Sequence, residues 1–191
     1  MNVNPAAPTR PCTVSREVDC SKTLPPEKRG PYCTQVSKLL RFVSLLAAAV
    51  VFGLTLSHVL ESAGSRGLDG ATWLTVQHSF YGGFAIVGGV FEVIGLVATT
   101  TDAIYRRRRL RAAAAPAFAA LCFLGALLSY FFGNRPVNSK VQIWTSATLP
   151  GDWSSYRETW ETAHAVSALL SALALLVLLV ATIWPLADHT D

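Results

Sequence analysis

Two kinds of cysteine chemistry are absent from this sequence. Its four cysteines, Cys12, Cys20, Cys33 and Cys122, form no C-x-x-C pair and no zinc-type spacing, and no histidine accompanies the first three. That excludes a thioredoxin-like redox motif and a zinc module. Cys12, Cys20 and Cys33 read as reduced, unpaired thiols, and Cys122, inside an apolar run, reads as a small packing residue. A cleavable leader is not expected either: the first apolar run follows a polar stretch and has no small-residue exit, which argues against a secretory signal peptide. Charge is scarce, 15% of 191 residues, and the run at 112–133 contains none.

What is present in quantity is apolar residues, 51% of the chain, arranged in blocks rather than in alternation or as scattered core positions. Four blocks stand out, at about 39–60, 81–101, 112–133 and 165–186. A hydrocarbon core of about 30 Å is crossed by roughly 20 apolar residues in a helix, and lipid requires every backbone group to be satisfied internally. The predicted fold is therefore all-α, an integral membrane four-helix bundle over residues 38–187, with an extracytoplasmic cap at 134–164 between the third and fourth helices. Residues 1–37 carry six prolines and few aliphatics, the composition of a flexible tail.

The formal net charge is +4, and its placement sets the expected topology. Arg10, Arg16, Lys22, Lys28, Arg29 and Lys38 precede the first run, and Arg106, Arg107, Arg108, Arg109 and Arg111 separate the second from the third. The alternate connections hold only Arg66, then Arg135, Lys140 and Arg157. Positive residues stay inside, so both termini are expected in the cytoplasm and the 134–164 segment outside. Topology is a sufficient reason for the arginine run, although such a run also suits anionic lipid or nucleic acid. The expected partner is the lipid bilayer and not nucleic acid, with a protein partner or a second copy left open.

Along the chain, His58 and Glu61 share a face near the end of the first span. Below them Thr55, Val51, Ala48 and Ser44 make a small, partly polar stripe of the kind that faces other helices. Asp69 is a candidate N-cap for a helix running from about Gly70 through Gln77, His78 and Tyr81 into the second span. That span places Tyr81, Ala85, Gly88, Glu92, Gly95 and Thr99 on one face. Glu92 sits about 16 Å below Tyr81, near mid-bilayer, where it is either a functional acid or a protonated carboxyl bonded to a neighbouring helix. Pro136 predicts an extended start to the next connection, with Asn134 and Asn138 in a turn. Asp152 then caps a helix of about 32 residues, roughly 48 Å long, whose first turns stand above the membrane. Trp153, Arg157, Trp160, His164, Ser167 and Ser171 form a stripe on it, either an interfacial belt or part of a site.

His58-x-x-Glu61 on the rising first helix and Glu161-x-x-His164 on the descending fourth come to the same height. Paired Glu-x-x-His motifs build di-metal sites in helix bundles, which makes His58, Glu61, Glu161 and His164 the metal-ligand candidates. The set is incomplete because Glu92 lies deeper and the third helix offers no acid. Whether any cofactor binds, a metal ion or none, stays open.

The segments LSHVLES, LDGATWLTVQHSFYGGFAIVGGVFE, NRPVNSKV and DWSSYRETWETAH together resemble the anthrone-oxygenase-like family of small four-helix membrane proteins, over about residues 39–184. The resemblance implies a polar pair at His58 and Glu61, a turn at Pro136, Val137 and Asn138, and a run of Arg157, Trp160, Glu161 and His164 opening the fourth helix. Ser167 departs from it, standing where many relatives carry an arginine. It also implies a monooxygenase-type oxidoreductase that converts anthrone-type polyketides to anthraquinones. As an enzyme the chain would use His58, His164, Glu161 and Arg157 catalytically. A hydroxyaromatic or quinone substrate would be held by Trp153, Trp160, Asn138, Glu92 and Tyr81. The competing expectation is a non-catalytic membrane scaffold whose cap is a partner surface.

Overall fold

The computed structural model describes residues 31–184. They form six helices: α1 (Pro31–Ser65), α2 (Gly70–Phe80), α3 (Gly82–Arg106), α4 (Leu110–Ser129), α5 (Arg135–Val141) and α6 (Trp153–Ile183), with a π-helical turn (Tyr130–Asn134) joining α4 to α5. The long helices α1, α3, α4 and α6 close a square in that order, each packed on two neighbours. All four are long and apolar enough to cross a membrane, the third as one continuous rod, Leu110–Val141. The chain is thus a multi-pass membrane protein built as the predicted four-helix bundle.

The bundle core is made of small residues. Ala47, Ala48, Val51, Ala119, Cys122, Phe123 and Ala174 cluster at its centre, while Ile86, Val97, Leu121 and Leu176 face outward, as lipid demands. Small residues let backbones approach closely, which drives helix association where hydrophobic burial cannot. The stripe read on α1 is buried in full, from Ser44 to Thr55, and Thr55 Oγ1 lies 3.4 Å from Ser171 Oγ of α6. Gly95 of α3 lies flat on the Phe123 ring, with no room for a β-carbon. Gly95→Val is therefore expected to lower stability by about 1–3 kcal/mol, the usual cost of overpacking. Gly83→Val, where a β-carbon meets nothing, should leave the midpoint of thermal unfolding in detergent unchanged.

One end of the bundle carries a cap with its own apolar core of Trp73, Leu74, Val137, Val141 and Trp160, flanked by Trp144, Leu149, Trp153 and Tyr156. The cap therefore draws on α2 as well as on the 134–164 segment. Asp69 caps α2, its Oδ1 accepting from the Ala71 and Thr72 amides at 3.0 Å each. The Thr72 amide and hydroxyl hold this carboxyl below its ordinary range. A depressed folded pKa means that the cap's contribution is complete above the ordinary carboxyl range and disappears as pH falls through the folded value. Asp69→Asn should flatten that acid dependence of the unfolding midpoint.

Several expectations need correction. Helix α1 begins at Pro31, so residues 31–37, read as tail, are helical; the rest of that tail, with Cys12 and Cys20, and residues 185–191 lie outside the described residues. The helix expected to run unbroken from Gly70 into the second span bends at Tyr81, with φ −95° and ψ −4°. Gly82 and Gly83 follow directly, and glycine weakens a helix interior. Pro136 does not start an extended segment. The wide π turn breaks the regular hydrogen-bond ladder just before it, so Pro136 falls in the first turn of α5, where a proline is tolerated. Asp152 precedes α6, but its side chain makes no capping bond.

Candidate functional site

Below the cap lies a cavity of about 540 Å³, walled by α1, α2, α3, the π turn, α5 and α6 and not by α4. Thr55 and His58 of α1 line it, with Gln77 and His78 of α2, Phe84 and Glu92 of α3, and Tyr130 and Asn134 of the π turn. Tyr81 at the bend, Asn138 and Gln142 around α5, and Trp160, His164 and Ser167 of α6 complete the wall. The π turn is what brings Asn134 inward. A π turn resets the helix face by one residue, and Gly133 lets it settle against Ala163 without a side chain between them.

His58, 5% exposed, is the centre of the arrangement. Its ring centroid lies 4.3 Å from His164, 4.8 Å from Tyr81, 4.9 Å from Trp160 and 5.1 Å from Phe84. Its Nδ1 has no hydrogen-bond partner and faces Glu61 Oε2 at 3.7 Å. Glu61 is held in turn by the Tyr81 hydroxyl, which donates to Oε2 at 2.7 Å. Burial, then the bond to Glu61, raises the Tyr81 pKa, so this phenol stays neutral and acts as a donor.

His164 is fixed from its Nδ1 side. Asn134 Nδ2 donates to Trp160 O at 3.1 Å and lies 2.6 Å from His164 Nδ1, which is itself 2.9 Å from Trp160 O. One nitrogen cannot accept from the amide and donate to the carbonyl at once, so Asn134 and Trp160 O compete for Nδ1 and favour opposite tautomers. Trp160 Nε1 donates to Asn138 Oδ1 at 3.0 Å, leaving the Asn138 amide nitrogen as that side chain's remaining donor. At the deep end Glu92 is 6% exposed and makes no hydrogen bond or ion pair with any described residue.

Glu161 belongs to a second cluster. Ser65 Oγ donates to its Oε1 at 2.6 Å, Arg66 Nε donates to its Oε2 at 3.2 Å, and Arg157 Nε stands 3.9 Å from Oε1. Arg157 also donates from Nη1 to Ser65 O at 3.2 Å and lies over the Trp153 ring at 5.0 Å. The candidates thus divide. His58, His164, Tyr81, Trp160, Asn138 and Glu92 share the cavity wall, with Glu61 directly behind His58. Glu161, Arg157 and Trp153 do not reach that wall; Trp153 packs on Trp73 at 5.6 Å inside the cap. Nor are the four metal-ligand candidates gathered: among the described residues no three His, Cys, Asp or Glu side chains converge on one point. Two arginines draw the Glu161 carboxylate to the far side of the α1–α6 contact.

Sequence reasoning missed Gln77, His78, Tyr130 and Gln142 as lining residues, and read Asn134 as a local turn-former. A polar residue closing an apolar run was the available signal for Asn134. For His78, whose Nε2 lies 2.8 Å from Val141 O, there was none, because nothing local tells that α2 folds over α5.

The fold and cavity together define a four-helix multi-pass membrane protein with a polar and aromatic cavity enclosed at one end. No family model, curated protein or solved structure matches the chain.

Proposed function

We propose that the cavity binds a flat hydroxyaromatic or quinone-type molecule and that the chain is an anthrone-oxygenase-like oxidoreductase, its capped end outside and both termini cytoplasmic. The observation that carries this reading is the His58–His164–Trp160–Tyr81 ring cluster on the cavity wall, with the Glu61 carboxylate behind His58. A scaffold does not require one buried and one half-buried imidazole facing an open volume.

His58 is the general base. The Glu61 carboxylate favours the ring proton on Nδ1, which leaves Nε2 with a lone pair and stabilises the imidazolium that forms when it takes a proton. The proton comes from a carbon activated by a neighbouring phenol or carbonyl. The Asn138 amide, oriented by Trp160, donates to the oxyanion that develops. Trp160 and Phe84 offer faces for a flat ring. Dioxygen then oxidises the carbanion: the methylene carbon loses two hydrogens and gains one oxygen atom, and the other oxygen atom leaves as water. Arg157 and Glu161 hold α1 to α6 and take no part.

Purified protein in lipid nanodiscs, given 1,8-dihydroxyanthrone, is expected to consume oxygen and form the quinone. His58→Ala should lower the rate about 100-fold or more, the usual contribution of a general base. Protein that neither binds nor turns over such compounds and copurifies with a stoichiometric partner is a scaffold instead. The orientation has its own test. A thiol reagent outside intact cells should label Ser146→Cys and miss native Cys20; the reverse pattern overturns it.

A further inference from the structure

We propose that the cavity is filled sideways from the lipid, through a gap between α3 and the rod formed by α4, the π turn and α5. Its ligand is then a membrane-dissolved, largely apolar molecule. This rests on the reading of the cavity as a small-molecule site.

The gap has a structural cause. Deep in the bundle α3 and α4 touch, Gly95 against Phe123. Towards the cap the rod leans onto α6 instead: Ser129 Oγ donates to Ala163 O at 2.9 Å, Gly133 fits against Ala163, and Asn134 reaches Trp160 O. The flank of α3 left behind carries Gly82, Ala85, Ile86 and Gly89, which line the cavity and yet are uncovered. Ile86 is 70% exposed, Gly82 and Ala85 are exposed, and a β-carbon on Gly82 or Gly89 would meet nothing within 4 Å. In a membrane-spanning helix this flank faces lipid. The aqueous route is narrowed by the His78–Val141 bond, which ties α2 to α5 above the cavity.

Two side chains on the cavity wall point to a ligand. Glu92 and His58 are both more than nine-tenths buried; Glu92 has no polar partner among the described residues, and His58 Nε2, the ring nitrogen turned away from Glu61, makes no hydrogen bond with any of them either. Buried polar groups are normally bonded. A molecule that fills the cavity has an apolar body beside Val51, Leu54 and Phe84 and offers a polar group to at least one of these two side chains.

The test uses reagents rather than a substrate, so its failure is separable from failure of the oxidoreductase reading. In full-length protein with the four native cysteines replaced, a single cysteine is placed at Ser167, a buried residue of the cavity wall. Reconstituted in phosphatidylcholine vesicles, Ser167→Cys should react with N-phenylmaleimide dissolved in the lipid at least tenfold faster than with a membrane-impermeant sulfonated methanethiosulfonate applied to both sides. Adding Gly89→Trp or Ala85→Trp should slow the maleimide at least tenfold. Gly83→Trp, on the same helix but off the cavity, should not. Equal rates for the two reagents, no reaction with either, or tryptophan variants that react like the parent would each overturn lateral entry. Loss of anthrone oxidation with this labelling pattern intact would count against the oxidoreductase alone.

Discussion

Replacing Glu161 with alanine is expected to destabilise the protein by about 3–5 kcal/mol, the cost of breaking a buried ion pair from one side. The carboxylate is 6% exposed and receives Ser65 Oγ and Arg66 Nε. Arg157 beside it is 9% exposed, and its Nε already lacks a hydrogen bond. Without Glu161 that guanidinium keeps the Ser65 carbonyl and the face of Trp153, a buried cation with no counter-charge. Arg66→Ala should cost only about 0–1 kcal/mol, because the Arg66 side chain is 66% exposed and water screens what it contributes. A double-mutant cycle reads the arrangement directly. Glu161 should couple to Arg157 and much less to His164, since Glu161 and His164 have different partners. Unfolding midpoints in detergent for the singles and doubles decide it. A Glu161→Ala variant no less stable than Arg66→Ala would mean that the cluster is not a structural clasp.

Trp160→Ala is expected to be comparably costly, about 3–5 kcal/mol by the usual loss on truncating a buried tryptophan, and to affect the site as well. Trp160 is 5% exposed and is shared by two structures: it belongs to the apolar core of the cap and forms part of the cavity wall. Its ring lies 4.1 Å from His164 and 5.4 Å from Tyr81, so its removal frees both to turn and joins the cavity to the space beneath the cap. Trp160→Phe separates packing from bonding. It keeps most of the apolar volume and loses only the donor to Asn138, a change of about 1 kcal/mol. Unfolding midpoints should rank parent, Phe variant, Ala variant. Oxidation of 1,8-dihydroxyanthrone, if Asn138 is oriented by this bond, should fall in the Phe variant at nearly unchanged stability. A Phe variant with parental turnover would remove Asn138 from the proposed mechanism.

The order of these effects could not have been ranked from the sequence. Glu161 and His164 are three residues apart on one helix and look like a unit, yet their side chains go to different clusters. Two of the partners that hold Glu161, Ser65 and Arg66, are 96 and 95 positions away, at the end of α1 and in a short connection that gave no sign of reaching α6. The same holds for Asn134. A π turn and a glycine seated on Ala163 rotate it from a connector into the cavity, and hydropathy is blind to both.

By itself the sequence determined the class of fold, the existence and order of the four apolar helices, the buried stripe of α1, and the placing of Glu92 on the face that α3 turns inward. These depend on local composition and on the period of the helix, which any window of the chain carries. The tertiary structure alone decided that α2 folds over the bundle as part of the cap, that α4 leans towards α6 and leaves α3 uncovered, and that Glu161 pairs with arginines instead of joining the histidines. Each is a choice among distant partners, made by close packing and by the demand that buried polar groups find bonds. That demand can be met only once all the helices are in place.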